Sequence, residues 1–393
     1  MSQPSVVIVA ARRTPIGSFQ GVFAPLAAPG LAATGIRAVL DDTGIDPADL
    51  SQALVGTVLP AGIGQAPARQ AALAGGVPKS VGCVTVNKVC GSGLQTVIHG
   101  ADAIRAGSAE LILAGGMESM TNAPYLLPKA RGGLRMGHQE ILDHMFYDGL
   151  QNPYDGQMMG QFGDSTAARY SFSREDQDAF AIASVERAQS AQAAGAFANE
   201  IAPVTVVTRK GQSVVDADEE PQRLNVEKIP SLRPAFAKDG TVTAASSSSI
   251  SDGAAFVVLM SEDEASRRGL TPLARIVDYT NFAHEPEWFT TAPIGAIKKL
   301  HERTGLNPDS VDLYEINEAF ACVTMAAMHD VGLAHEQVNV NGGACALGHP
   351  IGATGTRILV TLLHALINRG GKRGIASLCL GGGEALAMAI ERP

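Results

Sequence analysis

The chain has 393 residues, of which 46 % are hydrophobic and 18 % are charged, so it is long enough to bury a sizeable core in two or three domains. Its 30 Lys and Arg and 39 Asp and Glu give a formal net charge of −9, and no basic run resembles a phosphate-backbone track, so nucleic acid is excluded as an expected partner. We expect no membrane segment, signal peptide or transit peptide, because residues 6–9 already read as a strand and no uncharged apolar stretch approaches about 18 to 20 residues.

The cysteines are odd in number and widely spaced, with no CxxC pair. This pattern predicts neither a disulfide framework nor a zinc site, and it favours a reducing cytoplasm. A cysteine in an unusual local context is therefore a candidate nucleophile. The five are Cys83, Cys90, Cys322, Cys345 and Cys379.

Elements in the first part of the chain follow a strand, turn and helix order. Residues 43–47 (TGIDP) predict a helix end and turn before a strand at 53–56. A short strand ending at 86–87 then leads into a Gly-rich turn at 91–93, a helix, and a buried strand at 111–118. This order is typical of an α/β unit.

The same order recurs in the last part of the chain. Residues 304–308 (TGLNP) lead to a strand at 314–317, and a strand at 340–341 precedes the turn at 348–350, a helix and a strand reaching 376–384. The repetition predicts two duplicated α/β halves with mixed, mainly parallel, buried sheets that pack face to face.

A segment between the halves lacks this pattern. It contains Met-rich and Gly-rich turns and an amphipathic helix that Ser173 caps, running to about Ala194. We interpret 121–248 as an inserted loop domain that forms a lid. The first half then comprises 1–120, completed by about 249–270, and the second half comprises 271–393.

Cys90 follows a predicted strand and stands at the mouth of a helix that begins near Gly93. Free backbone N–H groups and the positive end of a helix dipole would favour a thiolate there. A small buried cysteine beside a tight turn is the alternative.

His349 occupies the equivalent Gly-rich turn of the second half, and if a pseudo-twofold axis relates the halves, it could take the proton from Cys90. A solvated or structural histidine is the alternative for this residue.

Two further strand ends of the second half carry polar groups. Cys379 precedes a run of three glycines whose amides would be free to bind an oxyanion, and it could shuttle a proton to and from carbon. Taken alone, it would more often be a core residue. Asn317 also falls at a strand end, where its side chain could hold a water molecule or a carbonyl oxygen.

These residues lie in motifs that resemble the thiolase family, closely its acetyl-CoA acetyltransferase branch. The motifs keep the family's order over nearly the whole chain: 86–93 (VNKVCGSG), 115–120 (GGMESM), 317–321 (NEAFA), 339–343 (NVNGG), 348–353 (GHPIGA) and 379–383 (CLGGG). The resemblance implies the thiolase fold, layered αβαβα, and a homo-oligomer that is a dimer of dimers. It implies ping-pong condensation of two acetyl-CoA molecules into acetoacetyl-CoA and CoA, with the reverse thiolysis.

The resemblance also implies a role for each motif residue. Cys90 is the nucleophile that carries the acyl group, His349 activates it, and Cys379 is the acid/base for the α-proton. One oxyanion hole combines His349 with a water held by Asn317, and a second combines the amides of Cys90 and Gly381. No metal or cofactor is implied, since coenzyme A is a substrate and product.

Contacts to coenzyme A are implied chiefly in the insert, where a cationic segment is formed by Lys129, Arg131, Arg135 and His138. A solvated loop is the alternative for this segment. Ser248 matches the serine that contacts the pantetheine arm, and Arg223 is placed near the nucleotide. The full set of implied coenzyme A contacts is Met159, Arg223, Leu232, Phe236, Ala244, Ser248, Ala319 and Phe320.

The sequence departs from the family pattern at Met158, where many acetoacetyl-CoA thiolases have a histidine, and in the serine-rich stretch 246–251. These departures keep open a degradative 3-ketoacyl-CoA thiolase for longer chains. Two other enzyme classes, a decarboxylating ketosynthase and a cysteine hydrolase, are disfavoured because neither needs Cys379. A catalytically inactive coenzyme A-binding protein is also disfavoured, since it would have lost Cys90, His349, Cys379 or Asn317 and all four are present.

Overall fold

The computed structural model describes residues 4–393. The strands, numbered in chain order, are β1 Val6–Arg13, β2 Gly17–Ser18, β3 Gln52–Gly56, β4 Gly82–Val86, β5 Leu111–Ser119, β6 Tyr125–Leu126, β7 Leu142–Asp143, β8 Val204–Thr208, β9 Gly211–Val215, β10 Ser251–Ser261, β11 Ala274–Ala283, β12 Leu313–Ile316, β13 Arg373–Leu380 and β14 Glu384–Glu391. The α-helices are α1 Ala28–Thr43, α2 Pro67–Ala74, α3 Ser92–Arg105, α4 Met159–Tyr170, α5 Arg174–Ala193, α6 Glu220–Arg223, α7 Glu262–Arg268, α8 Ala292–Thr304, α9 Ala321–Val331, α10 Ala344–Leu347 and α11 Ile351–Arg369.

The duplication is visible in the strand order. The first half reads β4-β3-β5-β10-β1 and the second reads β12-β13-β14-β11, so β3 corresponds to β12, β5 to β13, β10 to β14 and β1 to β11. In each half one strand, β10 or β14, runs against the others. The predicted mixed, mainly parallel α/β arrangement is therefore confirmed.

Side-chain alternation along the strands builds the layers, because successive residues of a strand point to opposite faces of the sheet. Ile112, Ala114, Val257 and Leu259 pack with helices α3 and α11, whereas their chain neighbours pack with α1 and α2. In the second half, alternate residues of β13 and β14 face α11 or α8. Helices α3 and α11 are thus the central layer between two sheets, which gives the order αβαβα. The two sheets also join edge to edge, through two residue pairs of β1 and β11.

Helix α11 is buried throughout its first sixteen residues, Ile351–Leu366. Within residues 4–393 it is the helix long and apolar enough to cross a membrane by length and composition, with a mean hydropathy of 1.2, and 89 % of that window is buried inside the protein. The helix is not an uncharged stretch, because Arg357 is its seventh residue, so the expectation that no uncharged apolar stretch reaches this length is not contradicted. Its surroundings are those of a core helix.

The predicted strand at 340–341 is wrong, and a side chain explains why. These two residues form a turn, and Val338 makes only an isolated bridge to Tyr314 on β12. The Asn339 side chain takes over the edge of β12: its Oδ1 accepts from the Ile316 N–H at 2.8 Å and its Nδ2 donates to the Ile316 carbonyl at 2.8 Å. One amide side chain thereby replaces a strand.

Residues 121–248 contain α4, α5, α6 and two short hairpins. The predicted cap of α5 is present, since the Ser173 hydroxyl accepts from the Asp176 N–H at 3.0 Å. On the buried face of α5, the Ser184 hydroxyl donates to the Glu318 carboxylate at 2.7 Å. The segment is therefore attached to the second half immediately beside Asn317.

Helices α3 and α11 touch at their first turns, where glycines allow the two backbones to meet. A Cβ added to Gly93 would lie 2.8 Å from the Thr356 nitrogen, and one added to Gly355 would lie 2.4 Å from the Leu94 nitrogen. A contact shorter than 3.0 Å to a backbone atom cannot be relieved by moving a side chain. The sequence positions just before the two helices, which include Cys90 and His349, are consequently brought to one place.

We predict that Gly355→Ala destabilises the protein by ~1–3 kcal/mol, because forcing a methyl group into a packed core costs more than the helix propensity gained by alanine. Gly30→Ala is the matched control, since Gly30 is an exposed helical glycine with nothing within 4 Å of the added Cβ. Urea unfolding measures both variants. Equal stability of Gly355→Ala and the wild-type chain would contradict the helix contact.

Candidate active site

The turn that carries Cys90 is held in an unusual backbone conformation. Val89 has φ 46°, which is sterically unfavourable for a β-branched residue and is typical of strained functional turns. The Ser92 hydroxyl donates to the Val89 carbonyl at 2.7 Å and accepts from the Lys88 N–H at 2.8 Å, while the Asn87 side chain accepts from the Val89 N–H at 3.0 Å. These bonds hold the turn and fix the direction of Cys90.

The Cys90 thiol is half-buried, and backbone donors face it. Burial raises its pKa to about 11, against the opposing effect of the N–H groups of Gly381 and of Cys90 itself, and the Glu118 carboxylate raises it further. The resting site therefore does not show the expected low pKa of Cys90, because burial outweighs the two backbone N–H groups. Cys90 rests as a neutral thiol.

Cys379 lies on β13 in the second half and is fully buried. Burial raises the pKa of its thiol well above the usual value, and the nearby Cys90 and Cys322 sulfurs raise it further. The loop Gly381–Gly383 that follows β13 turns directly into β14, so the Gly381 amide is left free to point at Cys90. The structure thus brings Cys90, Cys379 and Gly381 together, as the sequence predicts.

His349 lies between α10 and α11, rather than in the predicted strand-to-helix turn. Gly348 before it has φ 101°, and the His349 N–H donates to the Ser249 carbonyl at 3.1 Å. Its buried ring contacts the Thr354 hydroxyl, with 2.7 Å between Nδ1 and Oγ1. Burial, assisted by the charge of Arg357, lowers the pKa of His349 to about 3. The imidazole is therefore neutral at physiological pH and can accept a proton.

Asn317 directly follows β12 and is 1 % exposed. Neither its side-chain carbonyl nor its side-chain amide has a hydrogen-bond partner among residues 4–393. Buried amides are normally paired with protein or with ordered water, so this side chain is suited to hold a small polar group.

Four of the eight predicted coenzyme A contacts pack in one apolar cluster with Cys379: Met159, Phe236, Ala319 and Phe320. Ser248 adjoins the cluster, because its hydroxyl donates to the Ala319 carbonyl at 3.1 Å. Leu232 packs instead with the cluster around α5, Ala244 is exposed, and Arg223 is exposed beside Glu219. The structure therefore does not place these last three with Cys379.

The sequence analysis missed Glu118, a buried carboxylate that bridges the two halves. It accepts from the Thr57 hydroxyl, from the N–H groups of Val58 and Leu59, and from the Gly352 N–H at 2.9 Å on the first turn of α11. Burial raises its pKa to about 7 in spite of these four donors. The available signal was its place in Gly-Gly-Met-Glu at 115–118, which matches Gly-Gly-Gly-Glu at 381–384 in the second half.

Within residues 4–393, no group of three or more His, Cys, Asp and Glu side chains is placed to hold a metal ion. The groups able to act chemically are two thiols, a neutral imidazole, a buried amide and backbone donors. This set suits attack of sulfur on a carbonyl carbon followed by proton transfer at carbon.

Comparisons with known proteins agree with the motifs. The family models described as "Thiolase, N-terminal domain" and "Thiolase, C-terminal domain" match residues 6–263 and 270–392. The chain is 49 % identical to an acetyl-CoA acetyltransferase of Chromobacterium violaceum, covering 99 % of this chain and 100 % of the relative. It is 48 % identical to one of Pseudomonas aeruginosa, covering 98 % and 99 %. A crystal structure of a thiolase from Ascaris suum in complex with coenzyme A superposes with a TM-score of 0.94 at 42 % identity, covering 99 % of this chain and 100 % of that one.

We predict that His349 makes the protein less stable in acid. The unfolded chain binds a proton at this residue near pH 6.5, whereas the folded chain resists protonation down to about pH 3, so stability is lost as pH falls through that window. Between pH 7.5 and pH 5 the loss is roughly 1–2 kcal/mol. Urea unfolding of His349→Gln should show a loss smaller by that amount, with His99→Gln, at an exposed position, as control. An unchanged acid dependence in His349→Gln would contradict the buried neutral imidazole.

Proposed function

The chain belongs to the thiolase family, and from this premise we propose that it is an acetyl-CoA C-acetyltransferase. It joins two molecules of acetyl-CoA into acetoacetyl-CoA and CoA, and it catalyses the reverse thiolysis. The observation that carries the proposal is the arrangement around the Cys90 sulfur: two backbone donors, a second thiol from the other half, and a neutral imidazole at the adjoining helix terminus. The full-length relatives named acetyl-CoA acetyltransferase support it.

The first half-reaction forms the acyl-enzyme. Because the Cys90 thiol rests neutral, its proton passes to His349 as the sulfur attacks the thioester carbonyl of acetyl-CoA. The N–H groups of Cys90 and Gly381 stabilise the oxyanion of the tetrahedral intermediate. The CoA sulfur then leaves with the proton of Cys379. The acetyl group remains on Cys90, with a protonated His349 and a Cys379 thiolate beside it.

The second half-reaction forms the carbon–carbon bond. The Cys379 thiolate is strongly basic because burial disfavours its charge, so it removes the α-proton of a second acetyl-CoA. Protonated His349 and a water held by Asn317 stabilise the enolate oxygen. The enolate carbon attacks the acetyl carbonyl on Cys90, and the released Cys90 thiolate recovers its proton from His349. Each residue thereby returns to its starting state, since Cys379 keeps the α-proton and regains its thiol.

Substrate binding divides between two regions. The apolar cluster of Met159, Phe236, Ala319 and Phe320 suits the uncharged pantetheine arm, and Ser248 supplies a hydroxyl at its side. Arg223, Leu232 and Ala244 lie outside this cluster, and we assign them to the nucleotide end. This division assigns coenzyme A binding mainly to the inserted segment 121–248.

We further propose that the protein assembles as a tetramer and is located in the cytoplasm. Large apolar side chains are exposed on the insert around its first hairpin, including Met136 at 94 %, Tyr125 at 66 % and Ile141 at 63 %. Exposed apolar patches of this kind support burial between copies of the chain in a tetramer. The five unpaired cysteines support a reducing cytoplasm.

Replacement of the two thiols tests the proposal. We predict that Cys90→Ser abolishes both half-reactions, whereas Cys379→Ser is still acetylated at Cys90 but condenses acetyl-CoA at least about a hundredfold more slowly, because it lacks the carbon base. Peptide mass spectrometry after incubation with acetyl-CoA locates the acetyl group. Cys83→Ser is the control, since Cys83 lies on edge strand β4. Normal condensation by Cys379→Ser would refute the two-thiol mechanism.

Chain-length preference separates the proposal from a degradative 3-ketoacyl-CoA thiolase. Phe162, Phe289 and Phe320 pack in one cluster with Cys379. We infer that these rings leave little room for a long acyl chain beside its sulfur. We predict that kcat/KM for thiolysis of acetoacetyl-CoA exceeds that for 3-ketodecanoyl-CoA by at least about tenfold, which corresponds to ~1.4 kcal/mol in transition-state binding. Equal or faster thiolysis of the longer substrate would favour the degradative enzyme.

A further inference from the structure

The Thr354 hydroxyl beside the His349 ring bears on the protonation of the ring as well as on its position. Thr354 is the fourth residue of α11, and its hydroxyl lies 2.7 Å from Nδ1 of the ring. The same hydroxyl lies 2.9 Å from the carbonyl oxygen of Pro350, one turn earlier, and its geometry is that of a donor to this oxygen. The Thr354 N–H donates to the same carbonyl at 3.0 Å. The hydroxyl is therefore held between a helix carbonyl and the imidazole.

This arrangement determines which ring nitrogen carries the proton. A threonine hydroxyl has one proton, and donating it to Pro350 leaves the oxygen only its lone pairs to offer. Nδ1 must then be the donor, Nδ1–H to Oγ1, and Nε2 is left with its lone pair. The opposite tautomer would leave one of the two bonds unmade and would place a proton on Nε2, which has no acceptor among residues 4–393.

We propose that Thr354 is a positioning residue that holds His349 as the Nδ1–H tautomer, so that Nε2 presents a lone pair to the Cys90 thiol. The proposal rests on the function proposed above, in which His349 accepts the Cys90 proton. Thr354 touches neither the substrate nor the reacting sulfur, and it acts only through the ring. An imidazole protonated at Nε2 would face the thiol with a donor and could not remove its proton.

The conformation of α11 makes Thr354 suitable for this role. A threonine in a helix commonly bonds back to the carbonyl one turn earlier, so the hydroxyl proton is already directed away from the ring. Because Gly352 is held by Glu118 and Gly355 abuts α3, the first turn of α11 that carries Thr354 is fixed on both sides. The helix thus fixes the hydroxyl, and the hydroxyl fixes the ring.

Three variants of the full-length enzyme separate a tautomer effect from a packing effect. Thr354→Val keeps the side-chain shape but removes the hydroxyl, and Thr354→Ser keeps the hydroxyl. Thr356→Val is the matched control on the same helix, because the Thr356 hydroxyl is also buried but has no partner among the described residues. The assay is single-turnover acetylation of Cys90 by acetyl-CoA, followed by mass spectrometry, together with steady-state kcat and KM.

We predict that Thr354→Val lowers the acetylation rate constant and kcat at least about tenfold with little change in KM, because proton transfer is impaired and substrate binding is not. Thr354→Ser and Thr356→Val should acetylate close to the wild-type rate. A Thr354→Val enzyme that acetylates Cys90 as fast as wild type would overturn the proposal and leave the proposed function intact. Failure of the wild-type enzyme to be acetylated at Cys90 would instead overturn the proposed function.

A spectroscopic measurement on the wild-type chain keeps the proposal testable if Thr354→Val does not fold. Nitrogen-15 chemical shifts of the histidine rings distinguish a protonated from an unprotonated ring nitrogen, and His349→Gln assigns the resonance. The proposal predicts a protonated Nδ1 and an unprotonated Nε2 at neutral pH. The reverse pattern would overturn it.

Discussion

Backbone contact between the first turns of two helices is the constraint on which the site depends. Helices α3 and α11 come from different halves of the chain, and Gly93 and Gly355 allow them to approach without a side chain between them. Glu118 strengthens the contact by accepting from the Gly352 N–H on α11 and also from Thr57 and Val58, which directly follow β3. Cys90 and His349 each precede one of these helices by two residues, so the crossing brings the proposed nucleophile and the proposed base together.

Burial sets the protonation state of the assembled groups. The same loss of hydration raises the pKa of both thiols and lowers that of His349, so the resting site carries two neutral thiols and a neutral imidazole. In the proposed mechanism these groups take up charge only during the reaction. The amides of Cys90 and Gly381 and the buried side chain of Asn317 would then offer donors at two positions, as an oxyanion and an enolate require.

Much of the fold follows from the sequence because the duplication repeats strong local signals. The strand before Cys90, the helix after it and the buried strand β5 lie where the pattern predicts, as do β12 and β13 in the second half. The strand at 340–341 could not be excluded from the sequence, since the Asn339 side chain does the work of backbone hydrogen bonds. The local hydrophobic pattern does not show that a side chain, and not a strand, bonds to the edge of β12.

The sequence predicted which residues form the candidate site better than it predicted their protonation states. The sequence pattern around each residue identified Cys90, His349 and Cys379 as candidates. The burial that raises the pKa of Cys90, where a lowered pKa was expected, depends on packing between two halves that are far apart in the chain. The roles of Glu118 and Thr354 depend on hydrogen bonds across the helix crossing and within one helical turn. The motif 115–120 contains Glu118, and Thr354 directly follows the motif 348–353, but neither pattern indicates what these side chains bind.

A crystal structure of the enzyme after incubation with acetyl-CoA would show whether Cys90 carries the acyl group. We predict an acetyl group on the Cys90 sulfur, with its carbonyl oxygen about 2.7–3.1 Å from the backbone nitrogens of Cys90 and Gly381. The Cys379 sulfur should face the acetyl carbon within the same cavity. An acetyl group on another residue, or a carbonyl oxygen directed away from both nitrogens, would contradict it.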